Sequence, residues 1–315
     1  MAASTERFIG IDVSKNTLDV HVRPDGTARP FDNTPEGIDA LLAWLRPLAP
    51  TLVLVEASGG YERALLTALS LQGLPVSLIN PKRVRDFAKA RGRLAKTDKL
   101  DAAVLADFAE TLRPPVWSLP DADAQKLQAL LTRRTQLVGM RTMEKNRLAA
   151  LTQKRVRRSV QNVIRTLDRE IRQADKDLGE AIRACPEWAA KDELLQSIPG
   201  IGPTVSRTLL AEMPELGTLS REQAAALAGV APINRESGQY RGKRMIAGGR
   251  ALVRSMLYLA GQAARQGNEV LHAFSERLKA AGKPPKVIRI ALARKLLIIA
   301  NAVLRDNKAW TLKTA

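Results

Sequence analysis

The run Leu52-Val53-Leu54-Val55-Glu56 constrains this chain more than any other stretch. Four consecutive apolar residues leave a strand without a polar face. It must therefore be covered on both sides, by helices packed on the two faces of a sheet. The run ends in a carboxylate, so whatever the sheet holds in place, Glu56 stands at a strand end.

The flanking sequence supplies the rest of that sheet. Residues 8–13 and 17–22 read as a hairpin with Ser14-Lys15-Asn16 at the turn, and Asp12 interrupts its first, otherwise apolar strand. A short strand near residues 29–31 completes a meander before a helix that Thr34 caps and Pro35 opens. Residues 75–80 form a further strand, and Pro81 begins a basic helix through Lys82, Arg83, Arg85, Lys89 and Arg91. The order of three strands, helix, strand, helix, strand, helices predicts an α/β domain, a mixed sheet with flanking helices. Ligands of such sheets gather near strand ends.

In the stretch from Lys96 to Ala106, Thr97 can cap a helix whose Leu100, Val104 and Leu105 recur at helical spacing. Asp98 and Asp101 then share one face of its first turn. Acids also suit a helix N-terminus for purely electrostatic reasons. Their company changes the reading: Asp12, Glu56, Asp98 and Asp101 lie on separate elements with apolar flanks, and such elements can converge. Converging carboxylates repel unless a hard divalent cation neutralises them. Two Mg²⁺ ions about 4 Å apart would suit phosphodiester chemistry. The chain has one cysteine, Cys185, and only His21 and His272, which excludes an internal disulfide and a Cys/His zinc site; Cys185 reads as a small buried apolar residue. Any metal must be held by oxygen.

Lys and Arg number 50 against 32 Asp and Glu, a formal net charge of +18. An excess of that size points to a polyanion, nucleic acid before anionic membrane. The longest apolar run, residues 296–304, is too short to span a bilayer, and no signal peptide is evident, so a cytoplasmic location with no membrane partner is expected.

Pro114-Pro115 and Pro120 mark a linker, after which strand signals vanish for a length too great for a loop. Val160, Ile164, Leu167, Ile171, Ala174, Leu178 and Ala181 alternate steps of four and three, a heptad seam that calls for a partner helix in cis or across a dimer. The run Lys154-Arg155-Val156-Arg157-Arg158 reads as the tip of a helical hairpin, either a solvated charge run or a contact with phosphates.

In the last third, residues 194–205 contain Pro199-Gly200-Ile201-Gly202-Pro203, in the manner of a helix-hairpin-helix element. Gly200 and Gly202 would let a phosphate approach the backbone, although an ordinary interhelix turn uses the same residues. A polar, cationic loop follows at residues 232–244, with Arg235, Arg241, Lys243 and Arg244 around Ser237 and Tyr240. Ser237 before a glycine is a candidate nucleophile and Tyr240, the more acidic hydroxyl, its rival; a loop serine can also simply serve a turn. Three helices with basic faces close the chain, carrying Lys286, Arg289, Arg294 and Lys295.

Three blocks in the first third, Gly10-Ile11-Asp12-Val13-Ser14-Lys15, Glu56-Ala57-Ser58-Gly59-Gly60-Tyr61-Glu62 and Lys96-Thr97-Asp98-Lys99-Leu100-Asp101-Ala102, resemble those of the DEDD transposases of bacterial insertion sequences. Residues 227–232, Ser237-Gly238, Arg241-Gly242-Lys243 and 248–254 resemble the same family's C-terminal block. The resemblance implies an RNase H-like N-terminal domain over residues 1–113, like a Holliday-junction resolvase. It further implies a linker and helical coiled-coil arm over residues 114–190, and an all-α C-terminal transposase domain over residues 191–315 that carries the serine. It places the metal-binding acids on Asp12, Glu56, Asp98 and Asp101 and the nucleophile on Ser237. The implied activity is cleavage and rejoining of DNA through a phosphoserine link, with an element-encoded bridge RNA pairing to target and donor DNA and a composite site in a dimer or tetramer. Two other classes remain open: a hydrolytic junction resolvase, which the acids alone would predict, and a non-catalytic nucleic-acid-binding protein, which the charge alone would predict.

Overall fold

The structure, a computed structural model, describes residues 6–92, 98–234, 236–237 and 240–311; the side chains of residues 98–100, 236 and 240–241 also fall outside the description. Thr97, the expected cap, and Arg235 therefore lie outside the described residues, as does the side chain of Asp98. The chain divides into two compact units, residues 1–120 and 121–315.

The first unit is built on a five-stranded sheet of β1 (Phe8–Val13), β2 (Thr17–Arg23), β3 (Ala28–Asp32), β4 (Leu52–Glu56) and β5 (Val76–Ile79), in the order β3-β2-β1-β4-β5. The meander β1-β2-β3 is antiparallel, whereas β1, β4 and β5 are parallel, so the sheet is mixed. On one face, Ile9, Ile11, Val53 and Val55 pack with Leu41 and Leu45 of α1 (Pro35–Leu45) and Leu65 and Leu69 of α2 (Arg63–Leu71). On the other, Phe8, Leu52, Leu54 and Ile79 pack with Val84 of α3 (Pro81–Ala90) and Val104, Leu105 and Phe108 of α4 (Asp98–Leu112). The four apolar residues of β4 are thus divided between two cores, and each contributes roughly 1.5–3 kcal/mol of burial. Thr34 caps α1 by accepting from the Gly37 amide.

The proline-rich segment after α4 is docked on the sheet. Ser77 Oγ donates to the Pro114 and Pro115 carbonyls, and the Trp117 amide donates to the Val76 carbonyl, which covers the edge that β5 would otherwise leave open.

The second unit begins with α5 (Ala122–Ala150) and α6 (Lys154–Ala184), a hairpin whose helices run in opposite directions: Arg134 pairs with Asp175 at 2.5 Å, and Arg141 with Asp168 at 3.1 Å. The heptad residues of α6 form its buried seam, Leu167, Ile171 and Ala174 packing with Leu137 and, further down, Leu178 and Ile182 with Leu127 and Leu131. The partner helix is therefore supplied in cis. Then come α7 (Pro186–Gln196), α8 (Pro203–Glu212), α9 (Arg221–Leu227), α10 (Ala251–Gly267), α11 (Glu269–Ala280) and α12 (Pro285–Asp306), around one apolar core.

Between α9 and α10 the cationic stretch is not an irregular loop. It is a β-hairpin in two short steps: β6 (Pro232–Ile233) pairs with β9 (Met245–Ile246), and β7 (Glu236–Ser237) pairs with β8 (Tyr240–Arg241). The helical unit thus contains strands that an all-α reading does not anticipate. Two-residue strands are too short to show an alternating pattern.

Candidate active site

Strand register brings two of the acids together. Ile11 pairs with Val55 in the parallel β1–β4 ladder, so Asp12 and Glu56, one residue further along each strand, stand level. Side chains alternate across a strand, and Phe8 on β1 and Leu52 and Leu54 on β4 face α4. Asp12 and Glu56, an even number of residues further on, share that face.

Helix α4 comes unusually close to it, and Gly10 is the reason. A Cβ at Gly10 would lie 2.2 Å from the Ala102 carbonyl oxygen and 2.4 Å from the Ala106 amide. Only a glycine admits the helix backbone here. The contact sets Ala102, and with it Asp101 one residue earlier, beside the strand that carries Asp12. Asp98, at the start of α4, precedes Asp101 by three residues, a spacing that shares a helix face. Asp12, Glu56 and Asp101 are all half-buried. Among the described residues no three acidic, histidine or cysteine side chains are gathered tightly enough to grip an ion, and the fourth acid's side chain is not among them. The donors are all carboxylates, a set that suits Mg²⁺ or Mn²⁺ rather than zinc.

Two further residues tie down the loops that follow Asp12 and Glu56. Asn33 Nδ2 donates to the Ser14 carbonyl at 2.8 Å and to the Tyr61 carbonyl at 3.3 Å, while its backbone amide donates to Asn16 at 2.8 Å. Glu62, 7% exposed, accepts from the Ser58 amide at 3.1 Å, the Ser58 hydroxyl at 2.8 Å and the Gly60 amide at 2.8 Å. Burial opposes ionisation of Glu62, but its own amide, the Ser58 hydroxyl and the Gly60 and Ser58 amides outweigh it and hold the carboxyl below its ordinary value. Asn33 leaves no signal in a single sequence, because its partners are backbone carbonyls in distant loops. Glu62 shows only as the last residue of the second acidic block.

In the second unit Ser237 is exposed and pairs with Tyr240 across the hairpin, flanking its tip. The hairpin's base is clamped by two glycines: a Cβ on Gly229 would lie 2.2 Å from the Gly248 carbonyl oxygen, and one on Gly249 2.2 Å from the Gly229 amide. Arg250 adds a forked pair to Glu215 at 2.8 and 2.7 Å, and this hydrogen bonding lowers the Glu215 pKa against the effect of burial. Ser237 is carried on this hairpin, with Lys243 and Arg244 both exposed on the returning side. The side chain of Arg241 lies outside the described residues.

The remaining cationic candidates separate by surroundings. At the tip of the arm, Lys154, Arg155 and Arg158 are exposed, whereas Arg157 caps the end of α5, donating to the Leu148 and Leu151 carbonyls at 3.1 and 2.6 Å. In the turn between α7 and α8, Gly200 abuts Ala264 of α10, and its missing Cβ is a packing requirement. Gly202 caps α8 and opens onto free space.

Comparison with known proteins accounts for both units. Residues 9–155 match the IS110-type DEDD family, described as a transposase, and residues 192–276 match the transposase family IS116/IS110/IS902. The chain is 31% identical to the pilin gene-inverting protein of Moraxella lacunata over 97% of its own length and 98% of the relative's. The pilin gene-inverting protein of Moraxella bovis matches to the same extent, also at 31%. A transposase for insertion sequence element IS1111A from Coxiella burnetii is 26% identical over 59% of this chain and 58% of that protein. No helix among the described residues is long and apolar enough to cross a membrane. With one family spanning its acidic sheet and another its serine-bearing helical unit, the chain belongs to the IS116/IS110/IS902 transposases, enzymes that cut and join DNA.

Proposed function

We propose that this transposase excises and inserts a mobile element through a covalent phosphoserine–DNA link, with Asp12, Glu56, Asp98 and Asp101 holding Mg²⁺ and Ser237 as the nucleophile. The observation that carries the reading is the β1–β4 register, which sets Asp12 and Glu56 level on the face that Gly10 opens to α4. Two Mg²⁺ ions held by these carboxylates would supply activation of the attacking oxygen and stabilisation of the leaving one.

The chain's own residues do the rest. The Ser237 hydroxyl loses its proton and attacks the scissile phosphorus; the phosphodiester bond to one strand end breaks, and that end leaves as a hydroxyl that gains a proton. The phosphoserine bond keeps the energy of the broken one, so a second strand end can reverse the attack and be joined. Lys243 and Arg244 supply positive charge beside the phosphate, as does Arg241 on the same hairpin. The arm tip at Lys154, Arg155 and Arg158 and the Gly202 end of α8 offer backbone contacts to the duplex, the latter as a helix-hairpin-helix element.

The first unit, in this reading, is an RNase H-like domain and the arm a coiled coil. The acids of one subunit and the serine of another complete a site in a dimer or tetramer. A bridge RNA pairing with target and donor DNA leaves the protein to recognise duplex shape and backbone, a role that the net charge of +18 supports.

The test uses end-labelled target and donor duplexes, Mg²⁺ and RNA transcribed from the element's flanks. Strand cleavage is expected with the wild type. Asp12→Asn and Glu56→Gln are expected to abolish it, and omission of the RNA to remove its sequence preference. Cleavage that survives in Ser237→Ala would assign the chemistry to the acids alone, as in a hydrolytic resolvase. Intact strands under all conditions would leave a binding protein.

A further inference from the structure

The basic helix α3, which the reading above leaves without a role, carries its cations in two groups. Arg83 and Arg91 hold it to α4. The Arg83 guanidinium lies 5.6 Å from the Phe108 ring centroid, and Arg91 donates to Asp107 and to the Thr111 hydroxyl, each at 2.9 Å. Lys82, Arg85 and Lys89 are exposed, and steps of three and four place them in one stripe along α3, opposite the buried Val84. Asp86 is exposed at the edge of the stripe and offsets part of its charge.

The place of the stripe says more than its charge. Ile79, at the end of β5, pairs with Glu56, and the Ala57 amide donates to the Ile79 carbonyl at 3.0 Å. Lys82 comes three residues later, its amide donating to the Asn80 cap at 2.8 Å. The stripe therefore starts beside Glu56, at the edge where β1 and β4 deliver their acids, and leads away from it. Val84 packs with Leu52, Leu54 and Phe108, so α3 covers the same face of the sheet that Asp12 and Glu56 share. From Lys82 to Lys89 the helix rises about 10 Å. One strand of a DNA duplex carries a phosphate every 3.4 Å or so along the axis, so the stripe matches about three successive phosphates.

Carboxylates gathered to hold a metal repel the polyanion they must cut. A row of cations that begins at the acid edge, on the same face, offsets that repulsion and sets the direction in which the strand leaves. We propose that α3 is the track for the DNA strand beside the scissile phosphate, with about three successive phosphates on Lys82, Arg85 and Lys89. The assignment rests on the acids as the cutting centre and adds where the strand runs from it. RNA carries the same phosphates, but continuity with the cutting carboxylates selects the strand that is cut. Contacts of this kind fix register and carry no base preference.

The experiment replaces single phosphates of the donor duplex by neutral methylphosphonates, one at a time, across six positions on either side of the element's end. Binding by full-length protein and RNA is measured against salt without Mg²⁺. Weaker binding is expected for about three adjacent phosphates on one side. In Lys82→Gln/Arg85→Gln/Lys89→Gln the salt slope is expected to fall by about three and the melting curve to stay in place. Those phosphates become insensitive to replacement in the triple variant, while other sensitive positions keep their effect. Lys82→Arg/Lys89→Arg is expected to restore the wild-type pattern. A triple variant with the wild-type salt slope, or with the same three sensitive phosphates, overturns the assignment. One that loses affinity for the RNA alone also overturns it and makes α3 an RNA surface. Addition of Mg²⁺ to the same complexes reads cleavage separately. A wild-type footprint over intact strands sinks the reading of the acids and leaves the track standing, whereas cleavage with a footprint indifferent to the three substitutions sinks the track alone.

Discussion

Asn33 joins the loops of Ser14 and Tyr61, which lie 19 and 28 residues from it in the chain, and it does so with a donor that a carboxylate lacks. Asn33→Asp would set a negative oxygen against the Ser14 and Tyr61 carbonyls. A loss of about 2 kcal/mol in urea unfolding is expected, together with a fall in Mg²⁺ or Mn²⁺ affinity by calorimetry, because the loops that follow Asp12 and Glu56 lose their common tie. Unchanged metal binding at reduced stability would restrict Asn33 to folding. Glu62 makes a prediction with a sign. Its pKa is lowered in the folded state, so its contribution is complete above the ordinary value of 4.5 and is lost as pH falls through the lower folded value. The stability gap between wild type and Glu62→Gln is therefore expected to be constant from about pH 6 to 8 and to narrow as the pH falls below the ordinary value of 4.5. Arg157 and Arg158 separate in the same manner. Arg157→Ala is expected to cost about 1 kcal/mol of thermal stability because two α5 carbonyls lose their donor. Arg158→Ala is expected to lower the salt slope of DNA binding by about one and leave the melting curve in place.

At the level of the element, Gly10 couples the sheet to α4. Gly10→Ala forces a methyl group to within 2.2 Å of a helix carbonyl, and backbone cannot rotate away as a side chain would. A loss of about 3 kcal/mol is expected, with metal affinity falling because Asp101 retreats from Asp12. An unperturbed Gly10→Ala protein would mean that α4 is not held by this contact. Which elements were legible in the sequence follows from their length and periodicity. The apolar run 52–55, the hairpin of β1 and β2 and the heptad seam of α6 repeat often enough to declare themselves, and the acids stand out because each interrupts or ends an apolar segment. The β-hairpin around Ser237 did not, since its strands are two residues long and its base is closed by glycines from either side, Gly229 and Gly249. The Asn33 clamp is assembled from remote segments and has no sequence signature at all. Arg157 shows the converse limit: its charge was visible, but its use as a helix cap was set by the turn at residues 151–153.

For the molecule as a whole, a net charge of +18 makes DNA binding steeply dependent on salt, with affinity falling about 10³-fold or more between 50 and 200 mM for six or more phosphate contacts. A shallow slope would point to few phosphate contacts and a largely non-ionic interface. Charge alone, however, does not separate a recombinase from a binding protein; a covalent link between Ser237 and DNA would. The decisive measurement is mass spectrometry of the protease digest after reaction with Mg²⁺, RNA and duplex substrates, followed by nuclease trimming of the DNA. A nucleotide-phosphate adduct on the peptide containing Ser237, present in Tyr240→Phe and absent in Asp12→Asn, is the predicted result. Cleaved DNA with an unmodified Ser237 peptide, or an adduct carried by Tyr240, would contradict it.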